Sequence, residues 1–134
     1  MAETFQLEIV TPEKLVVDDR AEEIQIPGKN GYLGVLPGHA PLITELAVGE
    51  ISYRRSGRTQ RLAVAWGFAE VLPEKVTILA QTAEAAEEVD VARAQRALER
   101  AQARLKSGDP STDFERAQAA QERALARLDV AGKR

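Results

Sequence analysis

Cysteine is absent from this chain of 134 residues, and histidine occurs once, as His39. Without cysteine, the chain has no disulfide, no thiolate metal site and no cysteine nucleophile. With a single histidine, a metal site would depend on carboxylates alone, and no pairing of a base with a nucleophile stands out. We therefore expect neither a metal site nor a catalytic site.

Long apolar runs are lacking as well. No apolar stretch approaches the roughly 18–20 residues of a membrane-spanning helix, and the first residues, MAETFQLEIV, do not have the charged and then apolar layout of a signal peptide. The 18 basic and 21 acidic residues give a net charge of -3, which offers no electrostatic argument for binding nucleic acid or an anionic bilayer. We expect a soluble protein on the cytosolic side that binds no nucleic acid.

The hydrophobic pattern from Phe5 to about Ala80 has a period of two, which is typical of half-buried strands. Turn-forming pairs separate these segments; Ser56-Gly57 and Pro73-Glu74 each predict a hairpin. A bend is expected at Gly67, with the flanking aromatic residues Trp66 and Phe68 packed in the core; the alternative role for these two rings is contact with a partner. Many short strands without intervening helices predict an antiparallel sandwich or barrel.

From about Val89 the composition shifts to alanine, arginine, glutamine, glutamate and leucine, which favour helix. The segment KSGDPSTDFE interrupts this pattern, because Gly108 suits a helix C-terminus and proline cannot continue the helix. Thr112 and Glu115 match a capping box, so a second helix should run from about Asp113 to Gly132. The short break predicts an antiparallel helical hairpin.

The apolar seam predicted between the two helices is rich in alanine. Its positions are Val91, Ala94, Leu98, Ala101 and Leu105 on the first helix, and Phe114, Ala117, Gln121, Ala124 and Leu128 on the second. Because alanine buries little apolar surface, the hairpin should be only marginally stable by itself. The composition leaves two interpretations open: a permanent helical tail, or a hairpin that can also adopt an extended form.

Arginines form a stripe on each predicted helix, and antiparallel packing places both stripes on one broad face. The stripes consist of Arg93, Arg96, Arg100 and Arg104, and of Arg116, Arg123 and Arg127. Crowded guanidinium groups repel one another, and a polyphosphate or a carboxylate-rich partner would relieve this repulsion. The alternative is a solvated polar face.

The segment GYLGVLPGHAPL at residues 31–42 is rich in glycine and proline, but it does not match a phosphate-binding loop. With the preceding residues, from LEIVTPEK onwards, it closely resembles the N-terminal domain of the epsilon subunit of bacterial and chloroplast rotary ATP synthases, whose mitochondrial counterpart is called delta. This resemblance implies a β + α fold: an antiparallel ten-stranded β-sandwich, residues 1–83, followed by an antiparallel two-helix hairpin, residues 84–134.

The resemblance also implies a role as a non-catalytic subunit of the rotating central stalk. Such a subunit binds the gamma subunit and the c-ring, and it is peripheral to the cytoplasmic face of the bacterial membrane, which it meets only through the complex. In an extended form its helices reach the catalytic beta and alpha subunits and restrain ATP hydrolysis. The segment at residues 31–42 would bury Val35 and Leu36 and present a docking edge; the candidate docking residues are Tyr32, Val35, Leu36 and His39.

Some bacterial members of this family bind ATP on the compact hairpin through a segment resembling Ile/Leu-Asp-x-x-Arg-Ala, and this chain has VDVARA at residues 89–94. The candidate ATP-binding residues that the resemblance implies are Glu84, Val89, Asp90, Arg93, Ala94, Arg100, Arg123 and Arg127. ATP, with or without magnesium, would be a regulatory ligand, and no cofactor is required. The competing hypothesis is a constitutive structural adaptor whose hairpin never switches.

Overall fold

A computed structural model describes residues 3–134 of the chain. Within this range, eight strands precede two α-helices. The strands are β1 (Phe5–Val10), β2 (Leu15–Ala21), β3 (Glu23–Gly28), β4 (Gly31–Val35), β5 (Leu42–Leu46), β6 (Gly49–Arg55), β7 (Arg58–Val71) and β8 (Lys75–Ala85). A short 3-10 turn (Ala86–Glu88) leads to helices α1 (Val91–Lys106) and α2 (Phe114–Ala131). Neither α1 nor α2 has both the length and the apolar character that a transmembrane helix requires.

The strands form a β-sandwich in which the long strands β7 and β8 pass from one layer to the other. One layer has the order β2-β1-β8-β7-β5, and the other joins β4, β3 and β6 to the first half of β7. All pairings are antiparallel except that of β1 with β8. The fold class predicted from the sequence is confirmed. Residues 3–134 contain eight continuous strands rather than the ten that were expected. The number is smaller because the long strands β7 and β8 each contribute to both layers.

The core of the sandwich is filled by the inward-facing residues of the alternating pattern. Phe5, Leu7 and Ile9 of β1 are fully buried, and they pack with aliphatic side chains of β3, β6, β7 and β8. The predicted hairpins are also present, since β6 and β7 pair up to Arg55 and Arg58 around the Ser56-Gly57 turn. Both turn residues have positive φ, which matches the twist of an antiparallel hairpin.

The predicted bend in β7 occurs at Trp66 and Gly67, which both have positive φ. The expectation that both flanking aromatic residues lie in the core is wrong. Phe68 is 53% exposed on the outer face of the sheet, and Trp66 is half-buried beneath the helical hairpin. The positive φ at Trp66 breaks the alternation of side chains along β7, so the sequence pattern could not place either ring correctly.

Both helices begin with an aspartate whose carboxylate accepts a backbone hydrogen bond. Asp90 accepts from the Arg93 amide at 3.1 Å, and Asp113 accepts from the Arg116 amide at the same distance. The capping box predicted at Thr112 is therefore wrong by one residue, because the Asp113 carboxylate occupies the N-cap position. Gly108 follows the end of α1 with positive φ, as its proposed role requires.

The alanine seam holds the middle of the hairpin together. Ala94, Leu98 and Ala101 of α1 and Ala117 and Ala124 of α2 are buried. Two residues expected in the seam, Val91 and Phe114, are exposed. They lie at the first turns of the two helices, at opposite ends of the antiparallel pair, where the partner helix does not cover them.

The hairpin is docked on the sandwich by the C-terminal part of α2. Val130 is fully buried and forms a small apolar cluster with Ala63 of β7 and Ala86 of the 3-10 turn, against which Ala126 packs. The Lys133 ammonium lies 3.0 Å from the Glu50 carboxylate of β6. The packing of Val130 against Ala63 explains why Ala63 is buried although it lies on the face of β7 opposite the sandwich core.

The glycine-rich segment forms β4 and the turn that follows it. Val35 is buried in the sandwich core, whereas Leu36 is 60% exposed, so the expectation that both are buried is wrong for Leu36. Val35 ends β4 and points inward, and the chain leaves the sheet directly after it. The Tyr32 side chain is exposed, and its hydroxyl accepts a hydrogen bond from the Glu50 amide at 3.0 Å.

Candidate functional site

A cavity of about 850 Å³ lies between the helical hairpin and the edge of the sandwich. Its floor is formed by residues 63–65 in the first half of β7 and by residues 82–84 near the C-terminal end of β8. Small side chains there, such as those of Ala63 and Ala83, leave room for the cavity. Its walls come from α1 and α2, and the β1–β2 loop contributes Glu13 and Lys14. A ligand bound here would contact both parts of the fold at the same time.

The two arginine stripes converge on this cavity. The lining contains six arginines: Arg93, Arg100 and Arg104 from α1, and Arg116, Arg123 and Arg127 from α2. In the antiparallel pair, the positions near the start of α1 face those near the end of α2, and Arg104 faces Arg116 near the helix turn. From Arg93 to Arg104 the groove extends about 16 Å, at a helical rise of about 1.5 Å per residue. Arg96, which the sequence placed on the same stripe, does not line the cavity.

Five of the eight predicted ATP-binding residues line the cavity. They are Glu84, Arg93, Arg100, Arg123 and Arg127. Of the remaining three, Val89 and Ala94 are buried, and Asp90 caps α1. The VDVARA segment therefore gives the cavity one side chain, that of Arg93, and fixes the start of the helix that carries it.

Two of these arginines already interact with the sandwich. The Arg127 Nε atom lies 2.8 Å from the Glu84 carboxylate of β8, and both side chains are about two-thirds buried or more. The Arg123 guanidinium lies over the Trp66 ring, 5.3 Å from its centroid, in a cation–π contact. These contacts orient Arg123 and Arg127 along the wall of the cavity, so that a ligand meets a partly ordered site.

The other four arginines of the cavity have no carboxylate partner among residues 3–134. No acidic oxygen in this range lies within 4.0 Å of Arg93, Arg100, Arg104 or Arg116. The lining contains seven basic side chains, the six arginines and Lys14, but only three acidic ones, Glu13, Glu84 and Glu88. Guanidinium groups bind phosphate and carboxylate oxygens in bidentate fashion, so the cavity is suited to a polyanion.

Arg104 and Arg116 were on the predicted stripes but not among the candidate ligand-binding residues, and helical geometry was the signal that placed them there. Helical geometry could not identify Glu13 and Lys14, because they belong to the β1–β2 loop, which precedes the first helix by more than 60 residues in the sequence. Within residues 3–134, no three histidine or acidic side chains cluster in a manner suited to a metal ion.

A second feature is an exposed apolar row on the outer face of the sandwich, which we call the apolar row. Phe68 of β7 lies opposite Leu79 of β8, and Leu79 lies beside Val10 of β1, which pairs with Leu15 of β2. Phe68, Leu79 and Leu15 are each more than half exposed, as is Ile43 on the neighbouring strand β5. Such a contiguous exposed apolar surface is typical of an interaction site.

The acidic residues Glu45 and Glu70 border the apolar row. Glu45 is paired with Phe68 across the sheet, and Glu70 is paired with Ile43. Both glutamates are exposed. A partner with an apolar centre and basic residues at its edge would complement this surface.

Two family models match almost the whole chain. Residues 4–86 match the ATP synthase delta/epsilon chain β-sandwich domain, and residues 87–132 match the long α-helix domain of the same chain. The ATP synthase epsilon chain of Koribacter versatilis is 70% identical over 110 residues, which cover 82% of this chain and 78% of that protein. The epsilon chain of Carboxydothermus hydrogenoformans is 53% identical over 133 residues, covering 99% of both chains.

Solved structures show the same architecture. A chain of the Euglena gracilis mitochondrial ATP synthase, in a structure of OSCP, F1 and the c-ring, has a TM-score of 0.82 at 26% identity, covering 96% of this chain and 81% of that one. A chain from the central stalk and c-ring of the Tetrahymena thermophila mitochondrial ATP synthase has a TM-score of 0.65 at 11% identity, covering 96% of this chain and 97% of that one. The second likeness concerns the fold alone.

Proposed function

Because this chain belongs to the delta/epsilon family of ATP synthase subunits, we propose that it couples the central stalk to its partners through the sandwich and regulates ATP hydrolysis through the hairpin. Membership confirms the resemblance found in the sequence, and the family is one of non-catalytic stalk subunits. In the proposal, residues 1–83 form the docking unit and residues 84–134 form the regulatory unit. The arginine-lined cavity between them is the observation that carries the regulatory part.

The apolar row supports docking of the sandwich on the gamma subunit. Phe68, Leu79 and Ile43 are exposed although they lie in regular strands, and burying them against a partner would remove apolar surface from water. The acidic border suits a basic rim on gamma. Of the docking residues suggested by the sequence, Val35 is buried in the core, so Tyr32, Leu36 and His39 remain as candidates for the c-ring contact.

Replacing Phe68 with aspartate should weaken binding to the gamma subunit by roughly 100-fold, since a central aromatic contact is lost and a carboxylate would be desolvated. The chain should keep its melting temperature, because Phe68 is outside the core. Titration calorimetry with purified gamma measures the effect. Arg58→Asp, at an exposed site on the β6–β7 hairpin tip, is the matched control for a new charge on β7. Unchanged affinity of the Phe68 variant for gamma would show that the gamma-binding site lies on another face of the sandwich.

A polyphosphate bound in the cavity would stabilise the compact hairpin. It would pair with the arginines of both helices, and near the Glu84–Arg127 ion pair it would also contact β8. A ligand present at a hundredfold excess over its Kd stabilises the bound form by about 2.7 kcal/mol. For helices that meet through an alanine seam, this amount decides between compact and extended forms. We propose ATP as this ligand, with the adenosine moiety against the apolar floor.

Titration of the isolated chain with ATP should raise its melting temperature and shift the amide resonances of α1 and α2. Arg93→Ala and Arg123→Ala should each weaken binding roughly 10–100-fold, as expected for lost charge-assisted hydrogen bonds. Arg96→Ala is the matched control, because Arg96 is an exposed arginine of the same helix that does not line the cavity. Repeating the titration with EDTA tests whether magnesium takes part.

No response at millimolar ATP would leave the second candidate function, a structural adaptor of the stalk whose hairpin does not switch. The observation that favours this alternative is the set of contacts that already dock α2 without a ligand, including the buried Val130. In either case we place the chain on the cytoplasmic face of the membrane, attached only through the ATP synthase complex. In the extended form the same arginines would face carboxylates of the catalytic beta subunits and their alpha neighbours.

A further inference from the structure

The linker between β8 and α1 is held by a residue from the far end of the chain. The Arg134 guanidinium donates hydrogen bonds to the carbonyl oxygens of Ala86 and Val89, both at 3.2 Å from the same nitrogen, Nη1. These carbonyls belong to the 3-10 turn and to the residue that follows it. Arg134 therefore joins the end of α2 to the linker that leads into α1.

The two carbonyls are those that α1 would need in order to grow toward its N-terminus. A helix that continued backward would pair the Arg93 amide with the Val89 carbonyl, and the Asp90 amide with the Ala86 carbonyl. In the structure, the Arg93 amide instead donates to the Asp90 carboxylate at 3.1 Å, and the Val89 amide donates to the Ala86 carbonyl at 3.4 Å. The Asp90 carboxylate thus occupies the Arg93 amide, which helix growth would pair with the Val89 carbonyl. Arg134 donates to that carbonyl instead.

Neighbouring contacts keep Arg134 in position. Lys133 bridges the carboxylates of Glu50 and Asp129, and Arg61 holds the other oxygen of Glu50 at 2.9 Å. Val130, one turn earlier, is fully buried against Ala63 and Ala86. The position of the Arg134 guanidinium is therefore tied to the docking of α2 on the sandwich.

We propose that Arg134 is a latch that prevents the linker at residues 86–90 from joining the α-helix α1 for as long as α2 is docked. When α2 leaves the sandwich, the Val89 carbonyl loses the donor that Arg134 supplies, and the Ala86 carbonyl keeps only the 3.4 Å bond from the Val89 amide. Extension of α1 through the linker then supplies both carbonyls with helical donors. Release of α2 and growth of α1 are then a single event. The inference rests on the proposed function only in treating the hairpin as a switch.

The test is hydrogen exchange and NMR on the full chain without nucleotide, comparing Arg134→Ala with the native sequence. The Asp90 amide should exchange about tenfold more slowly in the variant, because growth of α1 through the linker would give this amide the Ala86 carbonyl as its partner. The Cα chemical shifts of Glu87, Glu88 and Val89 should move toward helical values. Exchange in the sandwich core, monitored at Ile78, should not change.

Arg96→Ala is again the matched control, since it removes an exposed arginine that has no such contacts. Equal exchange at the linker in both variants would overturn the latch. Faster exchange without the helical shift would also overturn it, because the linker would then loosen without joining α1. The experiment contains no nucleotide, so a failed ATP titration and a failed latch remain distinguishable results.

Discussion

Gly67→Ala should destabilise the sandwich more than any other single methyl addition at a glycine of this chain. A Cβ atom at this position would lie 1.9 Å from the Leu79 carbonyl oxygen, and the backbone φ of +126° is one that residues with a Cβ rarely adopt. The clash is with backbone of the adjacent strand, so side-chain movement cannot relieve it. We expect a loss of about 4–5 kcal/mol in the free energy of unfolding.

Thermal and urea unfolding measure this loss, which corresponds to a fall in melting temperature on the order of 15 °C. Gly34→Ala is the matched control, because it also adds a methyl group to a strand glycine, but in open space and without positive φ. The control should unfold within about 0.5 kcal/mol of the native chain. A small effect at Gly67 would mean that β7 and β8 can separate locally, contrary to the close approach described above.

Val130→Asp should undock the hairpin while leaving the sandwich folded. Val130 is fully buried in the small apolar cluster with Ala63 and Ala86, so a carboxylate there would be desolvated without a partner. We expect the docked form to lose about 3 kcal/mol, which is enough to favour release of α2. Trp66 is the only tryptophan, and its fluorescence should change as Arg123 leaves the ring.

The control for this substitution is Leu125→Asp, which places the same charge on an exposed position of α2. Hydrogen exchange should show loss of protection throughout α2 for the Val130 variant and little change for the control. Strands β1 and β8 should keep their protection in both proteins. Fluorescence of the Val130 variant equal to that of the native chain would show that the contacts of Arg123 and Lys133 suffice to hold the helix.

The elements encoded by local periodicity could be predicted from the sequence. Alternation in Phe5, Leu7 and Ile9 placed β1 and its buried face, and the Ser56-Gly57 turn placed a hairpin. The end of α1 followed from Gly108, and the limits of α2 followed from composition and breakers. The convergence of the arginine stripes also followed from helical geometry for every stripe member except Arg96, which does not line the cavity.

The features that the sequence did not reveal depend on contacts between distant segments. Phe68 and Leu36 are apolar residues in or beside strands, and nothing in the local pattern says that one face of the sheet stays uncovered. The carbonyl contacts of Arg134 and the approach of Lys14 to the cavity join residues that are far apart in the chain. The N-cap at Asp113 rather than Thr112 was a choice between two adjacent capping residues that composition does not decide.

The position of β8 within the sandwich has a mechanical consequence for a subunit of a rotating stalk. The helices are attached to the C-terminal end of β8, and the first half of that strand is bonded on both sides, to β1 and to β7. A pull from the helices therefore acts along the strand, in shear, so that many ladder bonds must break together rather than one after another. A force that reaches the helices would thus be resisted by a strand that is paired with both of its neighbours along its first half.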